Sequence, residues 1–172
     1  MMDPMEIMTI GKKVLREETE KVQEFGQDIP EFIENMKITM VESNGIGLAA
    51  PQVGDSRKII TVHYDLEKKG KIIEMINPEI ISFCDENEKS EEGCLSVPGI
   101  TGMVERPLEI EVRYQDIDGN EHVREFSGLN ARIIQHEVDH LNKTLFVDRL
   151  SYAKRLMIKN KLRKLEEKAR QG

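Results

Sequence analysis

The segment His136-Glu137-Val138-Asp139-His140 places the tightest constraint on this chain. At helical pitch, residues four apart stack on one face. Both imidazoles can therefore point at one metal ion, with the glutamate between them close enough to act on a bound water. The run from about Gly128 to Leu141 reads as the helix that carries this motif. Taken alone, the pattern also fits a polar helix face with two incidental histidines. Two histidines leave a catalytic divalent site one protein ligand short, the fourth position being kept for water.

The third ligand has few sources. Six residues after His140, where some metallopeptidases carry another histidine, the chain has Phe146, and the only later glutamates are Glu166 and Glu167 in a basic tail. Cys94 is the better source. It stands in Glu92-Gly93-Cys94-Leu95-Ser96, where the glycine permits close backbone approach. A buried structural thiol is its plainer alternative, and that is the role expected of Cys84. A further segment, Gly45-Ile46-Gly47-Leu48-Ala49-Ala50-Pro51-Gln52, combines small residues with an amide at Gln52 that can donate to a developing oxyanion. Alone it reads equally as a helix stop, and it lacks the Lys-Ser/Thr ending of a phosphate loop. Leu129 and Ile133 lie seven and three positions before His136, on the ligand-bearing face. With Ile46 they would form either an apolar pocket beside the metal or ordinary core.

Around these segments the pattern is α+β. A helix is expected from Asp28, as cap with Glu31 three residues on, and Ile29, Phe32, Ile33, Met36 and Met40 recur along it until Asn44-Gly45. Val14 to Phe25 fits a short helix or an irregular segment. Arg57 to Tyr64 and Lys71 to Ile76 flank the polar loop Asp65 to Gly70 and read as a hairpin. Leu108, Ile110, Val112 and Tyr114 alternate with polar residues as in a half-buried strand, and a turn at Asp116 to Asn120 leads to a partner over Glu121 to Phe126.

At 172 residues the chain is expected to form a single domain, 1–172, with a basic C-terminal helix from about 151 to 172. No run approaches the length of a membrane span, and the start Met1-Met2-Asp3-Pro4-Met5-Glu6 lacks the layout of a secretory signal. A cytoplasmic location with free thiols is therefore expected. The net charge of −7 argues against a surface built wholly to grip nucleic acid. That figure is an average: from Ser151 onward eight basic residues face two acidic ones, a local +6, leaving −13 for the rest. Leu156, Ile158, Leu162 and Leu165 supply apolar faces by which this tail could pack on the body.

Taken together, Gly45 to Gln52 (GIGLAAPQ), Glu92 to Ser96 (EGCLS) and Gln135 to His140 (QHEVDH) resemble the motifs of peptide deformylases, in order and approximate spacing. The resemblance implies an α+β fold, antiparallel strands surrounding a central helix with the metal-binding histidines. It implies removal of the N-formyl group from the initiator methionine of nascent polypeptides, with release of formate. Cys94, His136 and His140 would hold one divalent metal, and Glu137 would be general base and acid. Gln52 and the Leu95 N–H would polarise the formyl oxygen. Gly45, Ile46 and Gly47 would face the substrate backbone, with Leu129 and Ile133 beside its side chain. The ligand set suits Fe2+, Zn2+, Ni2+ or Co2+, and the resemblance implies Fe2+. It also makes the basic tail a candidate for contact with ribosomal RNA, against the simpler reading of a solvated helix face.

Glu92 is expected to pair with Arg106 and brace the cysteine segment, while Gln135 and Asp139 pack around the motif helix. Two departures stand out. The family commonly continues with His-Leu-x-Gly, whereas His140-Leu141-Asn142-Lys143 leaves the left-handed stop to Asn142 or to a strained Lys143; and Ile10-Gly11-Lys12-Lys13 replaces its early Pro-Asp segment. The rivals are a metallopeptidase using the same motif on ordinary peptide bonds and a non-catalytic ribosome-associated relative.

Overall fold

The structure is a computed structural model that describes residues 3–68 and 70–172, so Met1, Met2 and Lys69 of the expected hairpin loop lie outside it. In chain order the elements are α1 (Asp28–Glu42), β1 (Gly47–Ala49), β2 (Ile59–Tyr64), β3 (Lys71–Phe83), β4 (Asn87–Cys94) and β5 (Val97–Pro107). They are followed by β6 (Glu109–Gln115), β7 (Glu121–Ser127), α2 (Gly128–Leu141) and α3 (Tyr152–Gln171). Strands β1-β2-β3-β6-β7 form one antiparallel sheet in that order, and β4 pairs with β5 in a separate ribbon. The α+β expectation holds: sheet and ribbon surround the motif helix, and a C-terminal helix packs on the outside.

Sequence patterning accounts for this arrangement. Alternation on β6 turns Ile110, Val112 and Tyr114 inward, where they join Ile60, Val62 and Met75 of the sheet and Ala131, Ile134, Val138 and Leu141 of α2. The α1 stripe buries Ile29, Ile33, Met36 and Met40 against the other side of the sheet, with Leu48, Ile59 and Ile76. A third cluster joins Ile10, Val104, Phe146 and Leu150 to Ile158 of α3. Gly11 lets the N-terminal segment cross α3: its φ is +110°, and a Cβ there would stand 2.6 Å from the Glu166 carbonyl oxygen.

Several expectations need correction. Asp28 is the first residue of α1 and not its cap; Gln27 precedes it without a side-chain capping bond. Arg57 draws the Asp28 carboxylate away, donating from Nη1 at 2.9 Å while stacking 4.4 Å above the Phe32 ring. Val14 to Phe25 agrees with its expectation of a short helix or an irregular segment, holding one 3-10 turn, Lys13–Arg16, and an isolated bridge from Glu20 to Arg57. Strand β3 runs past Ile76 to Phe83 because register shifts around Asn77-Pro78 accommodate the proline, Asn77 taking φ +52°. Cys84 is half-buried and not a core thiol, since it lies where the chain leaves the sheet for the ribbon, its Sγ 3.2 Å from Glu109 N. On α3, Ile158 is buried and Leu162 and Leu165 pack beside it, but Leu156 points outward at 54% exposure because its position falls on the opposite face.

The stop of α2 falls to Lys143, which adopts φ +60° while Asn142 stays at −109°. Arg16 Nη1 donates to the Lys143 carbonyl at 2.8 Å and the Lys143 ammonium pairs with Glu18, so a residue poorly suited to this conformation is pinned from two sides. Lys143→Gly is expected to relieve about 1 kcal/mol of backbone strain, since the exposed ion pair it forfeits contributes little. The melting temperature should rise by about 2–4 °C; a fall in thermal denaturation would show that the pairing outweighs the strain. Among the described residues no helix is long and apolar enough to cross a membrane.

Candidate metal centre

Helix α2 is buried on almost every side, including Arg132, Gln135, Glu137, Asp139 and His140. Such a helix is tolerated only where each charge finds a partner. His136 and His140 leave it on one face, one turn apart, with ring centroids at 5.3 Å. Cys94 reaches the same point from the end of β4, where the ribbon slips register between Gly93 and Cys94. Ligand-capable atoms of Cys94, His136 and His140 all lie within 4.8 Å of one another, Cys94 Sγ being 3.4 Å from His140 Nε2.

One thiolate and two imidazoles with an open side match the donor set of a catalytic divalent site. The surroundings fit as well. Glu92 Oε1 lies 2.8 Å from His136 Nδ1, which leaves Nε2 of that ring free to coordinate. Among the described residues, Glu137 Oε2 is buried without a hydrogen-bond partner, and His140 presents Nε2 to the Cys94 side. A buried carboxyl oxygen left unpaired beside the cavity is open to a partner that is not a side chain.

Electrostatics separates the two glutamates. Burial pushes the Glu137 carboxyl up to about 7, with the neighbouring His136 partly opposing. Burial also acts on Glu92, but there hydrogen bonds from Arg106 and His136 prevail and hold the carboxyl well below the usual carboxylate range. Glu92 stays charged, while Glu137 is poised to exchange a proton near neutrality. The expected pair is present: Arg106 Nε and Nη2 donate to Glu92 at 2.6 and 2.9 Å. Asp139 accepts from Arg106 Nη1 at 2.9 Å, and Gln135 donates to the Pro107 carbonyl at 3.0 Å.

Gln52 arrives on a 3-10 turn, Ala50–Val53, directly after β1. Its Oε1 accepts from the Ala49 N–H at 2.9 Å, which turns Nε2 toward Ser96 Oγ at 3.2 Å and Cys94 Sγ at 3.4 Å. The amide therefore presents its donor to the metal side. Gly47 packs so closely on Glu137 that a Cβ would stand 2.5 Å from Oε1.

Cys94, His136, Glu137, Glu92 and Gln52 border one open cavity of about 520 Å³, which Gly45, Ile46, Gly47, Leu95, Val97 and Ile100 also line, while His140 lies behind it against Cys94. Ile133, His136 and Glu137 line its floor, and Leu129, at 48% exposure, stands at the rim. Strand β1 ends the sheet, so among the described residues no strand pairs with its outer edge. The structure thus brings Cys94, His136 and His140 together and places Gly45, Ile46, Gly47, Gln52, Leu95, Leu129, Ile133 and Glu137 on the cavity beside them. It adds some that were missed. Arg132 donates to Glu92 Oε2 at 2.7 Å and to the Glu88 and Val104 carbonyls, and Arg149 binds Asp139. Arg132 had a usable signal, a cation one turn before His136 on an otherwise buried face.

Comparison with known proteins agrees with this geometry. The family model described as polypeptide deformylase matches residues 4–156. A peptide deformylase of Rhodopseudomonas palustris (strain BisB18) is 41% identical over 170 residues, covering 97% of this chain and 95% of that one. Among solved structures, peptide deformylase from Plasmodium falciparum superposes with a TM-score of 0.90 at 38% identity, over 96% of this chain and 97% of the other. A plant peptide deformylase gives 0.92 at 34% identity, over 98% and 92%. With the motif residues gathered at one cavity and similarity running the length of the fold, the chain belongs to the polypeptide deformylase family.

Proposed function

We propose that this chain, acting as a single catalytic domain, removes the N-formyl group from the initiator methionine of nascent polypeptides with Cys94, His136 and His140 holding one divalent metal. The convergence of these three side chains beside the unpaired Glu137 carboxylate, at the floor of an open cavity, carries the reading. When bound, the metal supplies Lewis acidity toward the formyl oxygen and toward a water nucleophile.

The chain's own groups do the rest. Glu137 takes a proton from the attacking water and delivers it to the departing amine nitrogen. Gln52 Nε2, held by the Ala49 N–H through its oxygen, donates to the developing oxyanion together with the Leu95 N–H. The segment Gly45, Ile46 and Gly47, which leads into the edge strand β1 and lines the cavity, accepts the peptide alongside that edge, and Ile133 and Leu129 border the methionine side chain. Formate leaves and a free N-terminus remains.

Fe2+ is the proposed native metal, with Zn2+, Ni2+ and Co2+ able to fill the same thiolate-imidazole set. Purification without oxygen should give about one metal per chain and formate release from formyl-Met-Ala-Ser without cleavage of internal amides. Internal cleavage without formate would make the chain a metallopeptidase.

The enzyme is proposed to act in the cytoplasm, where α3 meets ribosomal RNA. Arg155, Lys159, Lys161, Lys164 and Lys168 are exposed along this helix, on a body of opposite net charge. Converting Lys161 and Lys164 to glutamate should weaken salt-sensitive ribosome binding and leave short formyl-peptide turnover unchanged. Undiminished binding in cosedimentation would remove α3 from the interface.

A further inference from the structure

A line of alternating charge leads from the metal centre through α2 to its far side. His136 meets Glu92, Glu92 takes two parallel bonds from Arg106, and Arg106 spends its remaining Nη1 on Asp139 Oδ2 at 2.9 Å. Asp139 is gripped in turn by Arg149, whose Nε donates to Oδ2 at 2.6 Å and Nη2 to Oδ1 at 2.8 Å. The Arg106 side chain is 3% exposed and that of Arg149 45%. Arg149 borders a polar groove of about 700 Å³ on the side of α2 away from the substrate cavity.

We infer that Arg149 is a positioning residue for the metal centre, acting on the His136 ring through Asp139, Arg106 and Glu92. The inference rests on His136 being a ligand, as proposed above. Each link is directional. A guanidinium is planar and presents fixed donors, so a paired bond from Arg149 sets the plane of the Asp139 carboxylate. Asp139 Oδ2 is shared by both arginines, whereas Oδ1 has Arg149 as its partner. Without Arg149 the carboxylate is free to turn, and the acceptor that fixes one arm of the Arg106 fork loses its set orientation. The other arm holds the Glu92 oxygens against His136. A disturbance in a buried network of this kind is shared by its members.

The plainer role is an anchor: Arg149 closes the 3-10 turn Phe146–Arg149, and Phe146 stacks on His136 at 6.2 Å. The two roles separate on metal affinity. Arg149→Met, titrated with Zn2+ against a competing chelator, is expected to show a dissociation constant raised by about 3- to 10-fold, below the 10- to 100-fold typical of direct partners of ligands. The visible bands of the Co2+-loaded variant should shift with it. Arg149→Lys keeps the charge but not the paired donors, and an intermediate constant is expected; this variant also covers a failure of Arg149→Met to fold. Adding Arg149→Met to Asp139→Asn should cost no further affinity.

An unchanged constant and unmoved Co2+ bands, with only a lower melting temperature, would reduce Arg149 to an anchor. Additive losses in the double variant would equally overturn the inference, since the route through Asp139 would be wrong. Failure of the ligand reading itself looks different: the parent protein would then bind no stoichiometric Zn2+.

Discussion

Glu137→Gln is expected to lower formate release by about 10²- to 10⁴-fold, the range over which positioned acid–base groups contribute, while metal content stays at one ion per chain. Glutamine keeps the shape of the side chain and can neither accept nor return a proton. Cys94, His136 and His140 are untouched by the change, and Glu92 continues to hold the His136 ring through Nδ1. The fold should not suffer. The Glu137 side chain is buried and its Oε2 lacks a hydrogen-bond partner, so the parent bears the cost of a poorly solvated carboxyl that an uncharged amide reduces. Melting temperature should hold or rise. Formate release within about tenfold of the parent, at equal metal occupancy, would show that proton transfer uses another group.

The parts of this protein that were legible before its structure are those where one physical rule dominates. The α1 stripe and the β6 alternation each bury a single face, so period alone revealed them. Helix α2 was found through the His136 to His140 motif that it carries, since its buried positions mix charged and polar residues such as Arg132, Gln135, Glu137 and Asp139 with apolar ones. The β4–β5 ribbon went unseen. Strand β4 reads Asn-Glu-Lys-Ser-Glu-Glu-Gly-Cys, and β5 turns Gly102 and Arg106 inward along with Ile100 and Val104, so neither shows a clean apolar alternation. What defines that ribbon is the ion network it encloses. Long-range charge pairing leaves no periodic trace in a sequence.

The same limit explains what was missed around the metal. Glu92 and Arg106 could be paired by proximity in chain and opposite charge. Arg132, 40 residues from Glu92 in sequence, and Arg149, acting through Asp139, could not. The Asp28 cap failed for a related reason: a local rule lost to Arg57, 29 residues away. Where local and distant partners compete for one carboxylate, spacing gives the candidates and only the fold gives the winner.

Glu92 is the member of this network whose loss should cost most. It accepts from Arg106 Nε and Nη2, from Arg132 Nη1 and lies against His136 Nδ1, four contacts between 2.6 and 2.9 Å. Its neighbours Arg106 and Arg132 are themselves buried. Glu92→Gln removes the charge that both guanidiniums answer, leaving Asp139 as the carboxylate paired with Arg106 and backbone carbonyls as the acceptors for Arg132. Breaking one side of a buried ion cluster costs about 3–5 kcal/mol, far more than an exposed pair, because the cations left behind are uncompensated. For a chain of this length that corresponds to a fall in melting temperature of about 6–20 °C.

Metal affinity should drop in parallel. The amide can still accept from His136 Nδ1, but without charge it is a weaker orienting partner, and losses of about 10- to 100-fold are expected for such changes. Should Glu92→Gln prove too unstable to purify, Arg132→Met offers a milder probe, since Glu92 would retain both bonds from Arg106. That variant is expected to lower stability, with a loss of Zn2+ affinity smaller than that of Glu92→Gln. Chelator titration alongside thermal unfolding distinguishes the cases: a Glu92→Gln protein with unchanged affinity and a melting temperature within about 2 °C of the parent would mean that the network neither braces the fold nor orients the histidine.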